Sequence, residues 1–546
     1  MSLPSDIVRD EKEVVRHSRT SRWLFVLIAI VFALARLWRL TSSCLWFDEI
    51  FSVHAARHSW AGLLKFAAAD IIHPPLFYAL LKIWIAVGGE SILWLRLLPF
   101  LISVATILPF ALLCRELNLK PAETNLALLL MAVSGFQIKY AQEVRMYSLL
   151  LLLSILSIWL FLRSLKHSFT RKDLVALTAL NLLLVYTHYY GWVLVAVEGL
   201  IVLISRRKHI LKSVLSLAAL LLAYLPWVYE VAVSREPGRG VAQNLGWIPR
   251  PGFSDVLQFY VVASKPFLFS QSTVDRIYDS LSLWAVFLLL AIPLSLFLWQ
   301  AWRERRVRET EMWLAVLMVA PLIIAFALSW TLPYPVWGNR HLIICAAPLA
   351  IISSVAILRL KANWMRMAIA VLLGCWILFA AMIFVIRPAQ QLTWCTWEGL
   401  IENAGSTSRE RMELPSTAGQ PATKPPIYAF EDLVAYHIWF AGTHSGQPPN
   451  NVTVIKGVPG LYEDPAFFLP RRFDDIKVGD ASQIKGDDIW VAFRAPRWDE
   501  NRPPLNLLKS LGYERTFFVS ASAQGEQSFL VAFRKTNRSH PPLMSR

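Results

Sequence analysis

Residues 23–50 read WLFVLIAIVFALARLWRLTSSCLWFDEI, an apolar run that is followed closely by two adjacent carboxylates. The first part, residues 23–40, is long enough to cross a bilayer as a helix. Because a charged segment, residues 1–22, precedes it, the run is predicted to be a retained anchor and not a cleaved signal. The tetrapeptide Trp46-Phe47-Asp48-Glu49 then lies at the mouth of this span, where carboxylates are costly unless they have a function.

The whole chain shares this apolar character. Of its 546 residues, 56% are hydrophobic and 17% are charged, which is less charge than a soluble domain carries. A net charge of +16 is explained by basic cytoplasmic loops, so a nucleic-acid partner is not predicted. The apolar runs predict a mainly α, polytopic bundle of about eleven spans, at 23–40, 94–114, 124–140, 146–163, 174–190, 191–205, 211–231, 281–301, 312–331, 341–358 and 365–386.

Clusters of Lys and Arg set the predicted orientation. They lie before the first span and after the second, fourth, sixth, eighth and tenth, so an inner N-terminus places all of them in the cytoplasm. The apolar stretch 74–88 is short and contains Lys82, and counting it as a span would move five clusters outside. We therefore predict interfacial helices in a first outer loop, residues 41–93, and an outer C-terminus.

The chain is predicted to have three parts. A cytoplasmic segment, 1–22, precedes a transmembrane catalytic domain, 23–386, which has a second outer loop at 232–280. Residues 387–546 contain more Pro and Gly and predict a small extracytoplasmic α/β domain. Its β-type runs are 427–430, 452–455, 489–493, 516–519 and 529–533, and its helical patterns are 397–404, 431–441 and 505–511.

Asp48 and Glu49 are the first candidates for catalysis. They either cap an interfacial helix as solvated side chains, or act at the membrane boundary, where Trp46 and Phe47 would hold them. A partly desolvated carboxylate can deprotonate an acceptor hydroxyl or ligate a cation. The sequence leaves both alternatives open.

The other candidates lie on the same predicted face. Lys139 and Arg145 contradict the positive-inside trend, so they are either snorkelling anchors or ligands of a phosphate. Arg340 opens the tenth predicted span from outside, either as an interface anchor or as a third cation of the same site. Three outer cations near one acidic pair favour a shared anionic ligand. His73, before Pro74-Pro75, either marks a helix start or joins the site. The remaining candidates on this face are Arg96, Glu143, Tyr147 and His341.

Metal and disulfide chemistry are left open by the sequence. Asp48, His73 and Glu143 are candidate ligands of a divalent cation, although no CxxC or Cys/His zinc spacing demands a metal. Cys44 and Cys395 are both predicted outside the membrane. A disulfide between them is one alternative, and two free thiols are the favoured one.

The order of these motifs resembles the C-type (GT-C) membrane glycosyltransferases, in particular the protein O-mannosyltransferase-like and aminoarabinose-transferase-like enzymes. A first span, Asp-Glu, His-Pro-Pro-Leu, Arg96 before a span, an Arg-x-Tyr turn and Arg340 opening a late span carry the resemblance over about residues 20–390. It implies that Asp48 matches the catalytic acid, with Glu49 beside it, and that His73 belongs to the same loop. Glu143, Arg145 and Arg340 match acidic or phosphate-binding positions.

The resemblance implies a polyprenyl-phosphate-sugar donor that is used with inversion on the outer face. The predicted protein is a glycosyltransferase of a bacterial inner or plasma membrane, with its active site on the periplasmic or extracellular side and a glycolipid, polysaccharide or protein acceptor. The alternative is a lipid or glycolipid transporter or flippase, which would line a path across the bilayer and often shows repeats. Polar residues crowd one face and no repeat is visible, which favours the enzyme.

Overall fold

The computed structural model describes residues 5–167, 169–234, 248–267, 276–304, 308–386, 393–411, 425–441, 450–461, 475–523 and 525–536. Its α-helices are Ser5–Leu37, Phe47–Arg57, Trp60–Asp70, Leu76–Gly88, Ile92–Ala105, Ile107–Glu116, Pro121–Val133, Gly135–Gln142, Tyr147–Lys166, Arg171–Thr187, Tyr190–Ser205, Ile210–Ser234, Phe253–Ser264, Arg276–Val286, Ile292–Glu304, Glu309–Thr331, Ala346–Leu358, Asn363–Ile386, Thr396–Arg411, Asp432–Ala441 and Pro503–Ser510. Short 3₁₀ turns include Arg207–His209, Asn339–Cys345, Thr393–Cys395 and Ala481–Gln483, and Phe287–Ala291 is a π-helical turn.

Within the described ranges, 8 helical stretches are long and apolar enough to cross a membrane. They are Thr20–Leu37, Ile92–Glu116, Tyr147–Lys166, Arg207–Ser234, Ser280–Gln300, Glu309–Thr331, Asn339–Leu358 and Asn363–Ile386. Each coincides with a predicted span, so the protein is an integral membrane protein of the mainly helical class. The other predicted spans, 124–140, 174–190 and 191–205, fall on shorter or broken helices. The count of eleven and the orientation therefore stay predictions.

The first outer loop folds into three short helices, Phe47–Arg57, Trp60–Asp70 and Leu76–Gly88. Leu76–Gly88 has 13 residues, so it is about 20 Å long and shorter than the hydrocarbon core of a bilayer. Ser59 caps the second helix, and its hydroxyl accepts the N–H of Gly62. The first and third helices pack against each other. These helices hold the acidic pair and His73 in one place.

The spans differ in how much of their surface lipid can reach. In the apolar part of Asn339–Leu358, 94% of the residues are buried, whereas in that of Asn363–Ile386 only 22% are, and this helix carries exposed Leu, Val and Phe side chains. The buried span packs on Pro121–Val133 and Glu309–Thr331. Its Ser354 hydroxyl donates to the Glu123 carbonyl at 2.7 Å, which satisfies a polar group inside the bundle. Arg340 therefore begins a helix at the centre of the bundle.

A helix that leads to the turn at residues 143–146 is interrupted at Ser134, between Pro121–Val133 and Gly135–Gln142. A distant strand-like segment supplies the missing backbone partners. The Gly135 N–H donates to the Lys265 carbonyl at 2.9 Å, and the Phe267 N–H donates to the Val133 carbonyl at 2.6 Å. The Ser134 hydroxyl donates to the Ala263 carbonyl. Backbone groups inside a membrane protein need such partners, so the break is stable. The second helix then runs into the turn at residues 143–146.

The tail folds as a small α/β domain, which confirms the predicted class. Its 6-stranded sheet has the order β3-β2-β1-β4-β6-β5, and β1 to β4 pair in parallel where they are neighbours. The pairs β4-β6 and β5-β6 are antiparallel. The strands are β1 Ile427–Ala429, β2 Val452–Ile455, β3 Lys477–Gly479, β4 Asp488–Ala495, β5 Tyr513–Ala523 and β6 Glu526–Lys535.

A disulfide joins this domain to the first outer loop. Cys44 and Cys395 are bonded, with their Cα atoms 5.2 Å apart, so the prediction of two free thiols was wrong. The fold brings together two segments that are 351 residues apart, and no local sequence pattern reports such a contact. Helix Asp432–Ala441 also packs on helix Phe47–Arg57, where the rings of Phe47 and Tyr436 are 5.3 Å apart.

Candidate active site

Asp48 stands in the first turn of helix Phe47–Arg57, where acidic side chains are favoured by the helix dipole. Its Oδ2 atom accepts a hydrogen bond from Arg340 Nη1 at 2.9 Å, and Arg145 Nε lies 4.0 Å away. The carboxylate keeps 18% of its surface exposed. Two arginines from distant parts of the chain therefore face one accessible carboxylate.

Glu49 has the opposite surroundings. Its side chain is 1% exposed and accepts hydrogen bonds from Arg96 Nε and Nη2 at 3.2 and 3.1 Å. It also accepts the backbone N–H groups of Trp46 and Val144. Arg96 itself donates to the carbonyls of Leu40, Ser43 and Cys44. Glu49, paired with Arg96 and bonded to the Val144 N–H, therefore fixes the first outer loop to the turn at residues 143–146.

Arg145 is buried in that turn and donates in several directions. Its Nη1 atom donates to the Asp48 carbonyl at 3.1 Å and to the Ser52 hydroxyl at 3.2 Å. The same atom lies 3.4 Å from the Tyr78 hydroxyl, and Nη2 lies 3.3 Å from His73 Nδ1. The guanidinium is thus held in place by the outer loop.

His73, His188 and His341 form one buried cluster, in which a nitrogen of each ring lies within 4.8 Å of those of the other two. His73 Nδ1 accepts from Arg145, and His188 Nδ1 accepts from the Tyr190 N–H at 3.1 Å. Burial first, and Arg145 second, lower the pKa of His73 well below its ordinary value. A neutral imidazole that accepts at Nδ1 carries its proton on Nε2. Both Nε2 atoms are buried and have no hydrogen-bond partner among the described residues.

Arg340 approaches Asp48 from the Asn339–Cys345 turn. Its guanidinium lies 5.9 Å from the centre of the Tyr147 ring. The Tyr147 hydroxyl is buried and has no hydrogen-bond partner in the described part of the chain. Gly338 precedes the turn because a Cβ there would come within 2.8 Å of His341 Nδ1. The glycine leaves room for the imidazole beside Arg340.

Glu143 and Lys139 face each other at 3.6 Å, one helical turn apart. Burial raises the pKa of Glu143 to about 7, and Lys139 opposes this rise. Glu143 Oε2 is also buried without a hydrogen-bond partner among the described residues. The structure therefore brings all ten candidate residues to this one region, with Glu49 and Arg96 in a supporting pair.

Two groups of side chains among the described residues have the spacing to hold a metal ion: His73, His188 and His341, and separately His54, His58 and Asp475. Neither contains Asp48 or Glu143. In the first group, protons on the Nε2 atoms and the neighbouring guanidiniums favour an anion over a cation, because a metal needs free lone pairs.

Sequence reasoning missed several of these contacts. Ser52 is four residues after Asp48 on one helix face, a spacing that could have revealed it. His188 was not among the predicted site residues. Tyr78 carries no local signal, because its role depends on how the third outer-loop helix packs.

Comparison with models of known protein families and with curated proteins gives no match. Among solved structures, ArnT from Cupriavidus metallidurans bound to undecaprenyl phosphate is similar, with a TM-score of 0.54 and 14% sequence identity. The similarity covers 95% of this chain and 99% of that chain. The apo state of ArnT gives a TM-score of 0.53, with 94% and 98% covered.

A second similar structure is the oligosaccharyltransferase AglB from Archaeoglobus fulgidus, in complex with an inhibitory peptide and a dolichol-phosphate. The TM-score is 0.47 at 16% sequence identity, and the similarity covers 80% of this chain and 64% of AglB. The chain therefore spans just under two thirds of AglB but nearly all of ArnT. The similarity to ArnT confirms the GT-C-like fold that the order of motifs predicted.

Proposed function

We propose that this protein is a glycosyltransferase that moves a sugar from a polyprenyl-phosphate-sugar donor to a hydroxyl acceptor, with inversion, on the outer face of a bacterial inner or plasma membrane. The observation that supports it is the pairing of the accessible Asp48 carboxylate with Arg340 and Arg145 beside two buried imidazole N–H donors. The donor class follows from this cationic pocket and from the fold that is shared with ArnT.

The pocket has the composition of a phosphate site. Arg145 and Arg340 carry two positive charges against one from Asp48, and the Nε2–H groups of His73 and His188 add neutral donors. Charge-assisted hydrogen bonds from arginine to phosphate are strong, and buried donors without partners are costly. A phosphate at this position would satisfy both requirements. Lys139, paired with Glu143, stays a proposed contributor at the edge.

The proposed reaction starts when the donor phosphate competes with Asp48 for Arg340. The freed Asp48 carboxylate accepts the proton of an acceptor hydroxyl, whose oxygen attacks the anomeric carbon from the face opposite the phosphate. The bond between this carbon and the phosphate oxygen breaks, and the polyprenyl phosphate leaves with the electron pair. Because two arginines stabilise the charge that develops on the leaving group, no strong general acid is required.

The other candidates have supporting roles in this proposal. Glu49 has every oxygen occupied by Arg96 and backbone donors, so it positions the loop and does not transfer protons. Tyr147 offers its hydroxyl and ring beside Arg340. His341 completes the imidazole cluster. A divalent cation is not assigned to Asp48, because the two arginines compete with it.

The test uses the full chain in lipid nanodiscs with radiolabelled polyprenyl-phosphate sugars and a panel of glycolipid, polysaccharide and peptide acceptors. Asp48→Asn should lower transfer at least about a hundredfold, the scale of losing a general base, with unchanged folding. Asp173→Asn, the same change at a partly buried position that is predicted to lie on the inner side, should have no effect. Normal transfer by the Asp48 variant would remove this residue from the role of base.

The transporter alternative is checked on the same samples. A flippase would move a fluorescent polyprenyl phosphate between leaflets of a liposome without producing any glycosylated acceptor. That result, together with no transfer from any donor in the panel, would replace the proposed function.

A further inference from the structure

A second cluster of polar side chains lies where the outer loop meets the C-terminal domain. His54 Nε2 lies 2.9 Å from Asp475 Oδ2, and His54 Nδ1 lies 2.8 Å from the Tyr436 hydroxyl. His58 is four residues after His54, and the two rings are 5.1 Å apart. His54 and His58 come from the outer loop, whereas Asp475 and Tyr436 come from the C-terminal domain.

The spacing of these groups suits a transition metal. One ligand atom each of His54, His58 and Asp475 lies within 4.8 Å of the other two. Tetrahedral Zn²⁺ with bonds near 2.1 Å holds its ligands about 3.4 Å apart, so small side-chain rotations are sufficient. Two histidines at i and i+4 share one face of a helix, which is a common arrangement for zinc.

The surroundings of His54 fit a metal ligand. Zinc-bound histidines usually use their second ring nitrogen in a hydrogen bond that fixes the tautomer, and Tyr436 is placed to accept one from Nδ1. The His54 ring is buried and packs against Phe66 and Trp439, with ring centres 4.8 and 4.6 Å away. These contacts leave Nε2 directed at Asp475.

Access and charge are also suitable. Asp475 is partly exposed, so an ion can reach the group from solvent, and a water molecule can serve as its fourth ligand. The nearest cations are engaged elsewhere: Lys82 donates to the carbonyls of Ala56 and His58, and Arg57 pairs with Glu90. The first histidine cluster differs in this respect, because Arg145 donates directly to a ring nitrogen there.

We propose that His54, His58 and Asp475 form a Zn²⁺ site that fastens the C-terminal domain to the first outer loop. The metal would take the position between His54 Nε2 and Asp475, while His54 Nδ1 donates to Tyr436. The site does not depend on glycosyl transfer, since its ligands are different residues from Asp48, Arg145 and Arg340. Its role is structural, with three protein ligands and one water.

The experiment uses untagged full-length protein, stripped with a chelator, equilibrated with Zn²⁺ and desalted before metal analysis. About one zinc per chain should remain, and Zn²⁺ should raise the Tm. His58→Ala and Asp475→Asn should each lose the bound zinc, and Tyr436→Phe should weaken affinity about tenfold or more. His167→Ala, at an exposed site, is the matched control and should bind normally.

Substitution with Co²⁺ provides a second measurement, because tetrahedral coordination gives intense visible absorption that a surface ion does not. Size-exclusion profiles of the variants confirm that they fold. The proposal is overturned if the wild type retains no zinc, or if His58→Ala combined with Asp475→Asn retains as much as the wild type. Loss of zinc only after changes to His188 or His341 would overturn it as well, by placing the metal in the other cluster.

Discussion

At the scale of single residues, the most informative contrast is between Asp48 and Glu49. They are neighbours in the chain, but a helix turns each residue by about 100° from the one before, so their side chains leave in different directions. Asp48 pairs with Arg340 and both side chains stay partly exposed, whereas Glu49 is buried against Arg96. Two like carboxylates thus acquire different properties from position alone.

Glu49→Gln should destabilise the protein, because it leaves Arg96 as a buried and uncompensated charge. Loss of one partner of such a pair costs about 3–5 kcal/mol, which a lowered Tm in detergent would report. Asp48→Asn should leave Tm near that of the wild type, since Arg340 is partly exposed. Equal Tm values for the wild type and the Glu49 variant would contradict the structural role.

Binding of undecaprenyl phosphate should weaken as the pH rises through 7. Burial raises the pKa of Glu143 to about 7, so this side chain gains a negative charge near Asp48 and Arg340 over that interval. One added charge at this range changes affinity about tenfold. The dependence should be flatter in Glu143→Gln, measured by microscale thermophoresis between pH 6.5 and 8.

The phosphate group itself ionises near pH 6, but it does so equally with both proteins and cancels in the comparison. Parallel curves for the two proteins would contradict the prediction. The same raised pKa also affects folding. Its contribution to stability is complete below pH 4.5 and is lost as the pH rises through 7, because the folded state holds the proton more tightly.

The residues of the site could largely be predicted from the sequence, but the role of each one could not. Arg145 was identified from its position against the charge trend, Arg340 from its place at the start of a late span, and both from the resemblance of motif order. Which carboxylate faces them depends on helix rotation and on Arg96, and neither is visible in a sequence. The second histidine of the buried cluster, His188, was likewise hidden, because the other two histidines, His73 and His341, are more than a hundred residues away in the chain.

At the scale of elements, the first outer loop is assembled from short helices that the rest of the fold holds in place. Helices Phe47–Arg57, Trp60–Asp70 and Leu76–Gly88 are each too short to cross a bilayer. Their positions depend on the Arg96–Glu49 pair, on packing with the tail domain and on the Cys44–Cys395 bond. Contacts between distant segments, and not local propensity, therefore define this layer.

Cys395→Ser should loosen the tail domain from the outer loop. Loss of a disulfide typically costs about 2–4 kcal/mol, so Tm should fall and limited proteolysis should release fragments of the tail sooner. Dithiothreitol should have the same effect on the wild type and none on the variant. Cys375→Ser, which removes an exposed free cysteine, is the control and should leave Tm unchanged.

At the scale of the whole molecule, the helical class and the C-terminal sheet domain follow from hydropathy and composition. Hydropathy reports length and apolar character, and 8 stretches in the described residues satisfy both criteria. It could not settle the helix broken at Ser134, because the break is stabilised by a distant segment. It also missed β3, a strand of only 3 residues whose existence depends on its neighbour β2.

Orientation is a testable prediction at this scale. A cysteine introduced as Thr536→Cys, after the last strand, should react with a membrane-impermeant maleimide in intact cells. Lys172→Cys, in a basic loop predicted to be cytoplasmic, should react only after permeabilisation. The reverse pattern would show that the predicted orientation is inverted and would move the Asp48 site to the inner face.

The interruption at Ser134 has a consequence for how ligand selectivity can change in this molecule. The short helix beyond it ends at Gln142, next to Glu143 and Arg145, and its first peptide group is fastened to residues 263–267. Because these hydrogen bonds hold one end of the short helix, we expect the position of residues 263–267 to set the tilt of that helix. We expect changes of length in the second outer loop to alter ligand preference at Arg145 while leaving the bundle intact, so selectivity can be adjusted by parts of the chain that never touch a ligand.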